Sequence, residues 1–305
     1  MRTVILAGGY GKRLWPITRD RPKPLLPVVG RPILDYIMDQ LSGPERPILA
    51  VNRRFEAQFA AWAKGRAVDV VVEPSASEEE KLGSVGALAY LVDRLHLDDD
   101  LLVIGGDNLL SLSLADFRRA FQGQTLVALY DLKRPDLARR RYGVAVVEGN
   151  RVVSFQEKPD RPCSTLVSAA CFLFPRSILP LFRAFVDQAV GHQDSPGYFL
   201  EWLLFQHPVE AFLFEGEWFD IGSRESYIEA HLRYTGGESW VHPEAQVVGS
   251  TITRSVIMGP GRIEGAVLDG VVVDEGATVR DVRLKDVLIG RGASIRGEGG
   301  DSGTD

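Results

Sequence analysis

The chain has 305 residues, 45% of them hydrophobic and 25% charged, and a formal net charge of −6. That composition is ordinary for a folded globular protein and excludes the low-hydrophobicity, high-charge signature of disorder. A net negative chain without an excess of lysine and arginine is not read as a nucleic-acid binder. The two cysteines, Cys163 and Cys171, have neither metal-ligand spacing nor a secreted disulfide pattern and are read as buried or half-buried free thiols. No stretch reaches the roughly 18 apolar residues of a membrane span. The opening MRTVILAGG is too short an apolar run for a signal peptide. A cytoplasmic enzyme with one large and one smaller domain is expected.

In chain order, TVILA at 3–7 predicts a buried strand closed by glycine. PILDYIMDQLSG then places Ile33, Leu34, Ile37, Met38 and Leu41 on one helical face, with Pro32 in the first turn and Gly43 as the stop. The same alternation runs on through PILAVN, RFEAQFAAWAKG, VDVVVE, SVGALAYLVDRL and DLLVIGGD. Strands so uniformly apolar are covered on both faces. They predict an α/β fold, a Rossmann-like, mostly parallel sheet flanked by helices. From about residue 124 the pattern changes to adjacent strands, TLVALYDL, YGVAVVEGNRVVSFQEKP and LVSAACFLF. These are read as the mixed edge of that sheet, with insertions over its ligand-binding end.

The last part of the chain is a repeat. Written from Val241 in lines of 16, its columns hold Val241, Ile257, Val273 and Ile289; Ala245, Gly261, Ala277 and Ala293; Val247, Ile263, Val279 and Ile295; and Ile252, Leu268 and Leu284. So many β-branched residues at fixed spacing, with glycines between, predict stacked coils of a small C-terminal parallel β-helix. RGEGGDSGTD at the end is read as frayed.

Most of the loop chemistry sits in LAGGYGKRLWPITRDRPKPLLPV, residues 6–28. A glycine-rich segment between the first strand and first helix of an α/β sheet lets backbone N–H groups approach a phosphate closely. Gly8, Gly9 and Gly11 provide it, but the spacing matches neither G-x-x-x-x-G-K-[ST] nor G-x-G-x-x-G. Arg13 offers a forked guanidinium and Lys23 a compact charge. Pro22 and Pro24 fix the backbone on either side of Lys23 before any ligand arrives.

Leu6-Ala7-Gly8-Gly9-x-Gly11-x-Arg13-Leu14 followed by Pro22-Lys23-Pro24-Leu25-Leu26-Pro27 resembles the signature of the sugar-1-phosphate nucleotidyltransferases, also called nucleotide-sugar pyrophosphorylases. GGDN at 105–108, YGVAVV at 142–147, FQEKP at 155–159 and WFDIGS at 218–223 follow in the family's order. The repeat resembles the left-handed β-helix that several members carry. The resemblance implies a catalytic domain over 1–235, a hexapeptide-like β-helix over 240–296 and a flexible tail over 297–305.

In that family a sugar-1-phosphate oxygen attacks the α-phosphorus of a nucleoside triphosphate and pyrophosphate leaves in line, so positioning and charge neutralisation supply most of the rate. The resemblance implies that Leu6, Ala7, Gly8, Gly9 and Gly11 cradle the triphosphate and that Arg13 holds the leaving phosphates. Lys23 would contact the reacting phosphates and the sugar phosphate. Lys12 stands where many members have a small polar residue, and either adds a contact or points into solvent. Asp107 would hold Mg²⁺, with Asp220 as second carboxylate; Arg13, Lys23 and Asp107 are the expected catalytic groups. Gly143, Glu157, Lys158 and Ser168 would bind the sugar phosphate, although Ser168 and Ala170 stand where many members have Asn and Gly. Glu73 and Gly83 fall in the nucleobase region.

Two substrate pairs stay open. Asp107-Asn108 leans the first expectation to glucose-1-phosphate with dTTP or UTP. The alternative is mannose-1-phosphate with GTP, since a carboxylate at Glu73 can accept two donors from guanine. A non-catalytic regulator that binds nucleotide-sugar should have lost Arg13, Lys23, Asp107 or Asp220, and none is lost. Acyl transfer by the tail is set aside because His242 is the only histidine from residue 240 onward. A homo-oligomer formed through the β-helix is expected, with neither nucleic acid nor membrane as partner.

Overall fold

The computed structural model describes residues 1–41, 43, 45–75, 77–188 and 194–297, so the predicted tail lies outside the described residues from 298 on. The chain divides into two compact units, Met1–Gly9 with Ile37–Trp218, and Tyr10–Tyr36 with Phe219–Asp305.

The first unit is built on a nine-stranded sheet. Its strands are β1 (Arg2–Ala7), β2 (Ile48–Asn52), β3 (Asp69–Glu73), β4 (Leu101–Gly105), β5 (Thr125–Asp131), β6 (Gly143–Glu148), β7 (Arg151–Glu157), β8 (Leu166–Phe174) and β9 (Val209–Phe214). They lie in the order β3-β2-β1-β4-β8-β5-β9-β7-β6. The first four strands in that order are mutually parallel. Neighbouring residues that point to opposite faces, such as Val4 and Ile5 or Leu102 and Val103, are fully buried. Helices therefore cover both faces, as the unbroken apolar runs require. One face packs on the helices Gly83–Leu95, Leu179–Gln188 and Pro196–Leu203, where the rings of Phe174, Phe182, Phe185 and Phe199 interlock.

LVSAACFLF, expected at a mixed edge, is instead the central strand β8, antiparallel to both β4 and β5. It is apolar enough to be covered on both faces, and it bends. Between Ser168 and Phe172 the register breaks, with Ala170 in the left-handed region at φ 52°. The first part of β8 pairs with β6 and the last with β4. Two boundaries also move. The first helix stops at Gln40, before Gly43, and β4 stops at Gly105, two residues short of Asp107. Cys171 is buried, whereas Cys163 is exposed.

In the second unit the repeat takes the predicted register. Val241, Ile257, Val273 and Ile289 stand in one parallel ladder, Val247, Ile263, Val279 and Ile295 in another, and Ile252, Leu268 and Leu284 in a third. Three short sheets thus wrap a core of Ile257, Ile263, Leu268, Val273 and Val279. The Gly261, Ala277 and Ala293 carbonyls accept the rung bonds from Gln246, Arg262 and Thr278. The helix Arg224–Tyr234 opens with a capping box on Ser223. Its buried Tyr227 donates its hydroxyl to the Pro27 carbonyl. Among the described residues no helix is long and apolar enough to cross a membrane.

Candidate functional site

In the first unit, four parallel strands end at one edge of the sheet, the carboxyl edge where ligands of open α/β sheets bind. Leu6 and Ala7 close β1 and lead into Gly8 and Gly9. Asn52, the last residue of β2, is fully buried. Its Nδ2 donates to the Gly8 carbonyl at 2.9 Å, and its Oδ1 accepts from the Phe55 amide at 3.1 Å. Glu73, the last residue of β3, stands in register with Asn52 and is 4% exposed. A Cβ on Gly8 would lie 2.7 Å from Glu73 Oε1, so a larger residue there would push the carboxylate aside. Burial pushes the Glu73 carboxyl up to about 7. Gly83, at φ 71°, opens the helix Gly83–Leu95.

Asp107 follows β4. The Gly106 amide donates to the Leu6 carbonyl at 2.8 Å, which ties the turn before it to β1. Asn108, 3% exposed, braces the carboxylate: its Nδ2 donates to Asp107 Oδ1 and its Oδ1 accepts from the Trp218 indole, both at 2.8 Å.

A second cluster of the same unit joins Gly143, Glu157 and Lys158. The Glu157 side chain is 4% exposed and accepts from the Ser195 hydroxyl at 2.7 Å, while Lys158 Nζ lies 3.4 Å from it. Its amide donates to the Glu201 carboxylate. A Cβ on Gly143 would meet the Phe155 ring at 2.5 Å and Glu157 Oε2 at 2.8 Å. Ser168, at the register break of β8, has a buried hydroxyl with no hydrogen-bond partner. An orphaned polar atom in a bent central strand is what a bound polar ligand would satisfy.

The second unit holds Gly11, Lys12, Arg13, Lys23 and Asp220. Gly11 takes a left-handed conformation at φ 64°, and its carbonyl accepts from the Thr18 hydroxyl at 2.7 Å. Lys12 and Arg13 follow in an exposed 3-10 turn. Lys23 begins a second such turn, capped by Pro22. Arg13 Nη2 and Asp220 Oδ2 approach the same point, 3.2 and 3.1 Å from where a Cβ on Gly222 would be.

The donor chemistry suits Mg²⁺. Asp107 is a hard oxygen donor held in orientation by Asn108. Mg²⁺ takes few protein carboxylates and completes its shell from substrate phosphates and water. The residues missed in the sequence are the braces, Asn52, Trp218, Ser195 and Glu201. Asn52 left a signal as a polar residue closing the apolar run PILAVN, and Trp218 as the first residue of WFDIGS; Ser195 and Glu201 left none.

Known proteins resemble this chain in fold and in sequence. A solved Bacillus anthracis structure with sucrose, provisionally named a glucose-1-phosphate thymidylyltransferase, superposes with a TM-score of 0.65 at 22% identity, covering 76% of this chain and 94% of that one. A mannose-1-phosphate guanylyltransferase of Mycobacterium tuberculosis is 30% identical, over 90% of this chain and 82% of its own length. A mannose-1-phosphate guanyltransferase of Eremothecium gossypii is 28% identical, over 85% and 72%. The profile of the nucleotidyl transferase family matches residues 2–237. The chain belongs to that family.

Proposed function

We propose that this nucleotidyl transferase transfers the nucleotidyl group of a nucleoside triphosphate to a sugar-1-phosphate, releasing pyrophosphate, in the cytoplasm. The observation that carries the reading is the braced Asp107 beyond β4, at the sheet edge where β1 delivers Gly8 and β3 delivers Glu73. The main chain around Leu6, Ala7, Gly8, Gly9 and Gly11 holds the triphosphate, with Lys12 beside it. Arg13 neutralises the leaving pyrophosphate, and Lys23 the reacting phosphates. Asp107 would hold Mg²⁺, with Asp220 the second carboxylate expected from sequence. When bound, the ion would supply positive charge that offsets phosphate charge. Glu157, Lys158, Gly143 and Ser168 orient the sugar phosphate, the unsatisfied Ser168 hydroxyl taking a bond from or to the sugar.

Glu73, with Gly83 nearby in sequence, selects the base. An ionised carboxylate presents two acceptors, which match the N1–H and N2–H of guanine. GTP with mannose-1-phosphate, the pair in the names of the M. tuberculosis and E. gossypii relatives, is therefore the first reading. The second is dTTP or UTP with glucose-1-phosphate. It is favoured by the elevated Glu73 titration near 7, since a protonated carboxyl presents one donor and one acceptor, as uracil and thymine require. Pyrophosphate release across these pairs under Mg²⁺ tests the activity and the choice together.

A further inference from the structure

Arg21 stands two residues before Lys23 and is anchored in the β-helix. Its Nη1 donates to Asp274 Oδ1 at 3.1 Å, and its Nη2 lies 3.6 Å from Glu275 Oε1. Asp274 follows the strand Val272–Val273 and is 4% exposed. It is fixed to the coil: its amide donates to the Ile289 carbonyl at 2.9 Å, and its Oδ1 accepts from the Glu275 amide at 2.8 Å. The Pro16 ring lies against the next coil so tightly that a Cβ on Gly290 would be 2.9 Å from it. Pro16, Arg21, Asp274 and Arg291 line a cavity of about 100 Å³ there.

Only Pro22 separates Arg21 from Lys23, and its φ of −68° is set by its ring. The Leu25 amide donates to the Pro22 carbonyl and the Leu26 amide to the Lys23 carbonyl, each at 2.9 Å, which closes the turn. Beyond it, Tyr227 holds the Pro27 carbonyl and Tyr36 the Val28 carbonyl. Fixing Arg21 therefore fixes the Lys23 backbone through one stiff residue. Burial pushes the Asp274 carboxyl up against the pull of Arg21 and Arg291. A buried pair in that balance contributes little to stability, and what it secures is the placement of Arg21.

We propose that Asp274 is a positioning residue for Lys23, acting through Arg21 and Pro22, so that a coil of the β-helix sets the geometry of a catalytic lysine. The inference rests on the reading of Lys23 as a phosphate ligand. Asp274→Ala is expected to lower kcat about 10- to 100-fold while KM for the triphosphate stays within about threefold. Combined with Lys23→Ala it should cause no further loss, because both changes remove the same interaction. Hydrogen exchange at the Leu25 and Leu26 amides should quicken about tenfold in the folded variant.

An unchanged kcat, losses that multiply in the double variant, or unchanged exchange at Leu25 and Leu26 would each overturn the proposal. If the unaltered protein releases no pyrophosphate with any substrate pair, the functional reading fails, while the exchange measurement still decides whether Asp274 orders the turn. Should Asp274→Ala not fold, Arg21→Gln removes the same ion pair from its more exposed side and is read by the same three measurements.

Discussion

The Glu73 carboxylate faces Gly8, its Oε1 2.7 Å from where a Cβ on that glycine would be. Gly8→Ala forces the end of the Glu73 side chain aside. On the proposed reading of this loop as the triphosphate cradle, its backbone then loses its aim. We expect kcat/KM for pyrophosphate release to drop about 100-fold, the range seen when an oriented backbone donor is lost. Normal kinetics in a folded Gly8→Ala protein would separate this contact from catalysis.

The elevated titration of Glu73 makes stability pH-dependent with a defined sign. Its carboxyl titrates near 7 when folded, against 4.5 ordinarily. Between those values the unfolded chain ionises first, so stability falls as pH rises through the window and stays lower above it. Glu73→Gln removes the penalty. The variant should gain on the order of 3 kcal/mol at pH 8 and nothing near pH 4. Thermal melting at the two pH values checks this. The amide, with one donor face and one acceptor face, should also move base preference away from GTP toward UTP or dTTP by about 10- to 100-fold.

Asp107→Asn keeps an oxygen for the Asn108 amide and removes the charge. Turnover at ordinary Mg²⁺ should fall by at least about 100-fold, with the melting temperature within a few degrees of normal. Raising Mg²⁺ should restore part of the rate if the carboxylate acts on the metal. Activity close to normal at low Mg²⁺ would remove Asp107 from that role.

The first coil of the β-helix ends its sheet with the exposed strand Gln246–Val248, where Val248 is 61% and Val247 37% exposed. An open edge with apolar side chains is a pairing surface. We expect light scattering to report a homo-oligomer and Val248→Glu to lower its mass. A monomer in both proteins would end the assignment of this edge to self-association.

What could be read from sequence was whatever local chemistry determines. The β-helix register was legible because a 16-residue coil returns each apolar column to the same ladder, from Val241 to Ile289. The parallel half of the sheet was legible because its strands are apolar on both faces. β8 was not, since its position between β4 and β5 depends on long-range pairing and on the bend at Ala170. Glycine spacing pointed to Gly8 and Gly11. It could not show that Asn52 and Glu73 clasp Gly8, because residues 44 or more positions away in sequence meet only through strand order. Arg21 gave no sign of its attachment to Asp274 for the same reason.

The most direct test of the account is to identify the product when the protein meets GTP with mannose-1-phosphate, and UTP or dTTP with glucose-1-phosphate, each with Mg²⁺. Sugar-1-phosphate nucleotidyl transfer predicts stoichiometric pyrophosphate and nucleotide-sugar, fastest with GTP and mannose-1-phosphate. Product from neither pair, in a folded protein that still binds nucleotide-sugar, would contradict it and leave a binding protein built on a nucleotidyltransferase fold.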